Sequence, residues 1–441
     1  MSKIAFYTLG CKSNQYETDI MKKKCLTSGH EIVPFEEKAD HYIINTCTVT
    51  GNADKKSRNI IRAAKKRNKK SIVIVTGCYV ETTNFGIKEA DIILNNINKF
   101  NVAKYIRDQR PETRDQKTFR SPVSDIKSPR IRANLMIENG CENHCTYCIV
   151  PFVRGKIKCK PFDQVIAEAK SMVNGGVKEI ILTGINIGEY KTNLSSRASH
   201  LTSLISELSK IDGLLRIRIS SIEPQYVNDA LINVIKNNPK VCKHLHIPLQ
   251  SGDDKTLKAM NRKYSSKEFL SMVKKIKSRI KDVAITTDII IGFPGEDEKA
   301  FRNTLKLAAM VQFSRIHIFS YSDRPGTAAS KLPNKVPPKV IAARRKELDL
   351  LRADLMAKFH RSFRKRAMDV LIEQKDIKTG MYEGLTSNYI RVFLKNFPSN
   401  IMNKPSPKAG DDTGDEYIGL IIPVQFKEFQ GGNVFALPVL L

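Results

Sequence analysis

Between Arg132 and Phe319 the chain repeats one pattern six times: a short apolar run followed by a helix-like stretch. The runs are Asn134–Ile137, Glu179–Thr183, Leu215–Ile219, His244–Ile247, Ala284–Ile291 and Arg315–Phe319. Such alternation leaves few options, because strands joined by helical crossovers pair in parallel and bury both faces. Eight units close a complete barrel, so six predict a partial (β/α)6 barrel with its ligand site at the carboxyl ends of the strands.

Two blocks flank that core, and the whole reads as an α/β multidomain protein. In the first, residues 1–118, the runs Ile4–Leu9, Tyr42–Asn45 and Ile72–Thr76 alternate with helix-like sequence, which predicts a flavodoxin-like parallel sheet. The stretch Asp108–Pro129 is rich in proline and charge and lacks aliphatic periodicity, so a linker is placed at 119–130. The barrel core takes 131–362, including most of a helical pattern from Lys339 to about Arg366. A β-rich tail takes 363–441, with the turn-rich segment Phe397–Glu416 as a loop between strands.

The cysteines give this frame its chemistry. Cys141, Cys145 and Cys148 stand at spacings of four and three, which can hold three irons of a cubane cluster and leave the fourth open. An open iron can take the amino and carboxylate groups of S-adenosylmethionine and pass it an electron. The other reading is a structural zinc site with His144 as fourth ligand, but no second ligand pair follows at zinc-ribbon spacing. Tyr147 precedes the last cysteine, where its ring could lie against an adenine or pack into a loop.

Cys11, Cys47 and Cys78 each follow one of the three N-terminal runs. Parallel strands bring their carboxyl ends to one edge, so three thiols far apart in sequence can converge there on a second cluster. Gly10 and Gly77 precede two of them and favour the tight turns this needs. Three unrelated core cysteines remain the alternative, and Cys25, Cys159 and Cys242 are read that way.

Charge points to the partner. With 74 Lys and Arg against 45 Asp and Glu the chain carries +29, a surface that attracts polyanions. Lys55–Lys70 holds nine basic and no acidic side chains, with Ile60, Ile61, Ala63 and Ala64 to anchor a helix. Lys65, Lys66, Arg67, Lys69 and Lys70 are candidates for phosphate contacts; a solvated face is the alternative. The tail from 363 holds ten Lys and Arg against nine Asp and Glu, so affinity there must come from local shape. Nine cysteines do not read as a disulfide framework, thiolate-bound iron needs a reducing compartment, and no apolar run reaches membrane-spanning length. The expectation is a cytoplasmic protein, monomeric and without a membrane partner.

The run Asn139–Lys156, NGCENHCTYCIVPFVRGK, resembles the motif of the radical S-adenosylmethionine methylthiotransferases. TLGCKSNQYET, NTCTVT and VTGCY are similar to that family's three N-terminal cysteine segments. The resemblance implies two 4Fe-4S clusters, one on Cys141, Cys145 and Cys148 and one on Cys11, Cys47 and Cys78, with S-adenosylmethionine as the further cofactor. It implies cofactor contacts at Tyr147, at Thr183 and Gly184 in ILTGINIGEY, at Ser221 and Glu223 in RISSIEP, at Gln250 and Ser251 in HIPLQSG, and at Asp288 in TTDIIIGFPGE. Asp253 and Asp297 depart from the pattern, which favours small hydroxyl residues there.

GLTSNYIRV resembles the core of a TRAM domain, a small OB-like barrel, and makes Asn388, Tyr389 and Arg391, together with Tyr382, candidate RNA contacts. A barrel that only orients the catalytic domain is the alternative. LTGINIGEY, SSIEP and YSDRPGTAA look most like the branch acting on N6-threonylcarbamoyladenosine in the tRNA anticodon loop. The sister branches act on isopentenyladenosine in tRNA and on a ribosomal-protein aspartate. A flavodoxin-type external electron donor is expected with any of them.

Overall fold

In a computed structural model, Tyr42, Ile43, Ile44, Asn45 and Thr46 are all fully buried, as a strand covered on both faces must be. They belong to β3 (His41–Thr46) of an N-terminal sheet ordered β2-β1-β3-β4-β5, every pair parallel. The others are β1 (Lys3–Thr8), β2 (Glu31–Val33), β4 (Ile72–Gly77) and β5 (Ile92–Ile93). The two short strands β2 and β5 escaped the sequence reading because too few residues carry the pattern. Helix α1 (Lys12–Thr27) follows β1, and α2 (Gly51–Arg67) follows β3, started by the Thr50 side chain accepting from the Ala53 amide. The structure describes residues 1–83, 86–106, 130–191, 200–394, 417–430 and 432–439. The linker at 119–130 lies outside them except for Arg130, and so does the tail loop Phe397–Glu416.

Six parallel strands build the central domain: β6 (Arg132–Met136), β9 (Glu179–Thr183), β10 (Arg216–Ile219), β11 (His244–His246), β12 (Ala284–Ile291) and β13 (Arg315–Ser320). Two halves, β10-β9-β6 and β11-β12-β13, meet through the bridges Ile217–Val241 and Ser221–His246. The two-residue strands β7 (Glu138–Asn139) and β8 (Lys158–Cys159) flank the cysteine loop. Helices α3 (Val150–Arg154), α4 (Phe162–Asn174), α5 (Leu201–Leu208), α6 (Asp229–Asn237), α7 (Asp254–Ala259), α8 (Ser266–Arg279) and α9 (Glu298–Val311) return the chain between strands. Asp253 caps α7 and Asp297 caps α9, each accepting the amide three residues on. Their departure from hydroxyl residues keeps the same job, since Asp, Ser and Thr all serve as N-caps.

Helix α10 (Pro338–Arg361) leads to a closed five-stranded barrel, β14 (Ala367–Lys375), β15 (Tyr382–Thr386), β16 (Arg391–Leu394), β17 (Ile421–Gln430) and β18 (Asn433–Pro438), ordered β14-β15-β16-β18-β17. The barrel's 386–390 turn seals the amino-terminal end of the central strands. There Glu179 takes both Arg218 (2.7 Å) and Arg132 (2.8 Å), and Arg218 also donates to the carbonyls of Thr386 and Ser387. Burial would push the Glu179 pKa up, but the two arginines overcome it and hold the carboxyl at about 2. Tyr389, at φ +68°, stacks on His244 at 4.5 Å, and the Arg218 guanidinium lies 4.7 Å from its ring centre.

Candidate active site

Each N-terminal thiol sits where a strand of the sheet ends. Gly10 and Gly77 precede Cys11 and Cys78 at φ +100° and +97°, and a side chain at Gly77 would place its Cβ 2.4 Å from the Thr46 carbonyl. At Gly10 the same atom would meet Cys47 Sγ at 3.0 Å, so the Cys11 turn lies directly on Cys47. Asn14, in the first turn of α1, joins these turns. Its Nδ2 donates to the carbonyls of Leu9 (2.8 Å) and Thr46 (2.9 Å), and its Oδ1 lies 3.8 Å from Cys11 Sγ. Burial pushes the Cys47 thiol up to about 11 and raises Cys78 as well, so both are protonated unless a cation takes them as thiolates.

Cys141, Cys145 and Cys148 form the second triad, on the loop between β7 and α3. Gly140 makes the turn into it at φ +99°, where a Cβ would stand 2.2 Å from the Lys156 carbonyl. Burial pushes Cys141 up to about 11 and Cys148 to about 12. A single tetrahedral ion draws four donors to one point, and among the described residues no three His, Cys, Asp or Glu side chains close that tightly. His144, the fourth ligand such an ion would take, is exposed at φ +47°. Thiolates are the donors an iron–sulfur cubane takes, and each set supplies three of them, which suits that group chemically.

Past the central strands, two buried hydroxyls have no hydrogen-bond partner among the described residues, Thr183 Oγ1 and Ser220 Oγ. They gather at the carboxyl ends of β9 and β10, the rim where a polar ligand would complete them. Gly184 is needed here because its Cβ would meet Glu138 Oε2 at 2.6 Å, and that carboxylate accepts from the amides of Ile185 (2.9 Å) and Asn186 (2.7 Å). Burial raises the Glu138 pKa to about 7. Glu223 is held by Arg262, whose Nη1 also lies 3.3 Å from Cys145 Sγ. Asp288 pairs with His246 at 3.2 Å, and the amide of Gln250, at φ +63°, donates to the Asp288 carbonyl. Ser251 is fully buried, its hydroxyl 3.3 Å from that of Thr304 in α9, and Ser221 bridges to His246 through the backbone. Tyr147 packs against the cluster of Met260, Phe293 and Ala329.

The proposed RNA contacts are distributed unevenly. Helix α2 ends at Arg67, so Lys69 and Lys70 lie in the turn beyond it rather than on the helix. Ile61 and Ala64 anchor it, Lys65 pairs with Asp91 and Arg67 lies over Phe35. Lys66, Lys69 and Lys70 make no ion pair among the described residues. In the tail, Asn388 is 2% exposed and donates to the Asp282 carbonyl, so together with Tyr389 it faces the central domain instead of open solvent. Arg391 is half exposed and pairs with Glu383. Cys25 and Cys242 are core residues, and Cys159 Sγ accepts from the Lys191 amide.

Motif spacing gave no sight of Arg154, Arg262 or Arg324. Arg262 lies far along the chain from the thiol it approaches, and Arg324 reaches Thr48 and Asp54 just beyond Cys47. Arg154 stands in the cysteine run itself, but its partners Asn14 and Glu17 are in the other domain. Ile149 and Val153 pack on Cys78, so α3, which leads away from one triad, forms a wall of the other.

Residues 136–308 match the model of the radical SAM superfamily, and residues 3–96 match that of uncharacterized protein family UPF0004. The threonylcarbamoyladenosine tRNA methylthiotransferase MtaB of Bacillus subtilis is 36% identical over 418 residues, covering 90% of this chain and 91% of that one. Its counterpart in Thermotoga maritima is 35% identical, covering 89% and 91%. A tRNA-2-methylthio-N(6)-dimethylallyladenosine synthase of Clostridium novyi is 35% identical over 83% of this chain and 84% of its own. Among solved structures, the radical S-adenosylmethionine methyltransferase TsrM of Kitasatospora setae, with cobalamin and a [4Fe-4S] cluster bound, shares the fold at a TM-score of 0.51 and 15% identity, over 75% of this chain and 77% of its own. Two cysteine triads joined through α3, a six-stranded parallel core and relatives matched over nine-tenths of their length agree: the chain belongs to the radical S-adenosylmethionine methylthiotransferases.

Proposed function

We propose that this protein methylthiolates carbon 2 of N6-threonylcarbamoyladenosine, position 37 in tRNA numbering, in the tRNA anticodon loop. The observation that carries the reading is the meeting of both cysteine triads at α3, where Cys78 packs on the helix that follows Cys148. Carbon 2 of adenine is unactivated, so the two iron–sulfur groups and S-adenosylmethionine, when bound, supply radical and sulfur chemistry that no side chain can. Cys141, Cys145 and Cys148 would hold one group and Cys11, Cys47 and Cys78 the other, three ligands each leaving an iron for a small molecule.

The remaining residues bind and orient. Glu223, held by Arg262, would bind ribose hydroxyls, with Thr183 and Gly184 on the rim of the neighbouring strand. Tyr147, Ser221, Gln250, Ser251 and Asp288 complete the proposed cofactor set, with Ser251 acting through its contact to Thr304. Lys65, Lys66, Arg67, Lys69 and Lys70 meet tRNA phosphates, and the five-stranded barrel serves as a TRAM domain through Arg391, with Asn388 and Tyr389 docking it. The working units are 1–118, 131–362 and 363–441. The protein acts in the cytoplasm as a monomer supplied by a flavodoxin-type donor; among the described residues no helix is long and apolar enough to cross a membrane.

Similarity to dimethylallyladenosine synthases supports a second reading, isopentenylated adenosine as substrate. A pocket built to hydrogen-bond the threonylcarbamoyl carboxylate and amide would be left with unpaired polar groups by that base. Purified enzyme offered tRNAs with and without threonylcarbamoylation should modify only the first, as read by nucleoside mass spectrometry. Equal turnover on isopentenylated tRNA, or modification of a ribosomal protein instead, would move the protein to a sister branch.

A further inference from the structure

Arg154 ends the helix that leads away from Cys148, yet its side chain is spent on the other domain. It is 2% exposed. Nη1 donates to Glu17 Oε1 at 2.8 Å and Asn139 Oδ1 at 2.9 Å, and Nη2 to Asn14 Oδ1 at 2.5 Å and Glu17 Oε2 at 3.3 Å. Asn14 in turn ties the Cys11 and Cys47 turns together, and Cys78 packs on Ile149 and Val153 from the helix that carries Arg154. A single guanidinium thus reaches the surroundings of all three N-terminal thiols.

The charges around it do not balance. Glu17 also takes Lys99 at 2.6 Å, and both of those side chains are 1% exposed. Arg154 and Lys99 therefore share the one Glu17 carboxylate, and burial together with the Arg154 charge lowers the Lys99 pKa. Glu138, the next carboxylate out, also attracts Arg154 through space, but its Oε2 is spent on the amides of Ile185 and Asn186, and burial raises its pKa to about 7, so it supplies only part of a counter-charge. Asp54, beyond Cys47, is paired with Arg324. An uncompensated buried charge is costly, and neutral thiols do not offset it. Thiolates around an iron–sulfur group do, and they offset it better once the group has gained an electron and become more anionic. Burial raises the Cys78 thiol, while the charge and hydrogen bond of Arg154 pull against that.

We propose that Arg154 is a positioning residue that stabilises the reduced form of the iron–sulfur group held by Cys11, Cys47 and Cys78, from across the domain boundary. The proposal rests on the reading that those three cysteines hold such a group. In the step concerned, one electron from a one-electron donor enters the group, no bond breaks, and the guanidinium keeps its proton.

The test uses the full chain with Cys141, Cys145 and Cys148 replaced by Ala, loaded with iron and sulfide, so that only the N-terminal group remains. Its midpoint is followed by electron paramagnetic resonance during titration with dithionite. Adding Arg154→Met should raise the oxidised-to-reduced ratio at fixed potential at least tenfold, about 59 mV for one electron. Arg154→Lys, which keeps the charge, should recover most of that shift. Loss of iron with Arg154→Met, restored by Arg154→Lys, also supports the proposal. An unchanged midpoint and spectrum with Arg154→Met overturns it, as does loss of iron from both variants. If the starting protein with Arg154 intact binds no iron, the N-terminal cluster itself is wrong, a separate failure that removes the proposal with it.

Discussion

Cys141, Cys145 and Cys148 lie within eight consecutive residues, whereas Cys11, Cys47 and Cys78 come from three strand ends. The first set is aimed by one loop, whose geometry depends on Gly140 and on the pairing of β7 with β8. Parallel pairing of β1, β3 and β4 makes the second, with Asn14 and Arg154 clamping the result. Each set is also served by an arginine from a distance, Arg262 at Cys145 and Arg154 at the N-terminal thiols. A loop motif survives changes in its surroundings; a site assembled from strand ends depends on a sheet and a neighbouring domain.

That contrast breaks most visibly if the two sets are not separate. Replacing Cys141, Cys145 and Cys148 with Ala should halve bound iron and abolish S-adenosylmethionine cleavage. The same change at Cys11, Cys47 and Cys78 should halve iron and leave cleavage active. Iron content and 5′-deoxyadenosine formation measure both. Full iron in the second variant would remove the second site.

Backbone geometry separates the sites more finely. Gly77→Ala forces a Cβ into the Thr46 carbonyl and should empty the N-terminal site alone, while Gly140→Ala meets the Lys156 carbonyl and should empty the loop site alone. Loss of all iron from either single variant would make the sites interdependent. At the opposite end of the central strands, Arg218→Met leaves the fully buried Glu179 with Arg132, and should cost about 3 kcal/mol in denaturant unfolding without changing iron content.

Smaller effects test the surroundings. Neutralising Lys66, Lys69 and Lys70 should lower the slope of tRNA affinity against salt by roughly one for each phosphate that is no longer neutralised. An unchanged slope would return this run to a solvated face. Glu138 supplies a pH test of the loop site. Its folded pKa of about 7 exceeds the ordinary glutamate value, so the folded state holds more protons than the unfolded chain in the window between them. Stability should fall as pH rises through that window, and Glu138→Gln should flatten the fall in melting temperature.

Much of this was legible in advance because it rests on local pattern. The six central runs became six parallel strands within a residue or two of their expected ends, since apolar runs of that length between helices have one stable use. The strand-end position of Cys11, Cys47 and Cys78 predicted their convergence by the same logic. The tail was harder: pattern made it β-rich, and only the resemblance of GLTSNYIRV to a TRAM core implied a barrel and made Asn388 and Tyr389 an RNA surface. Packing against Asp282 and His244 gave them a docking role that no local feature reveals.

The sequence by itself determined the strand and helix order, the two cysteine sets and the excess of positive charge, because periodicity and spacing are properties of neighbours along the chain. Tertiary structure alone decided which charges meet. Arg154 and Glu17, Arg262 and Glu223, and Arg324 and Asp54 are distant in sequence; the first and last pairs form where the N-terminal and central domains pack together, and the second forms inside the central domain. A lone buried charge is unfavourable, so the fold must supply its counter-charge from whichever element packs against it, and that choice is made in three dimensions.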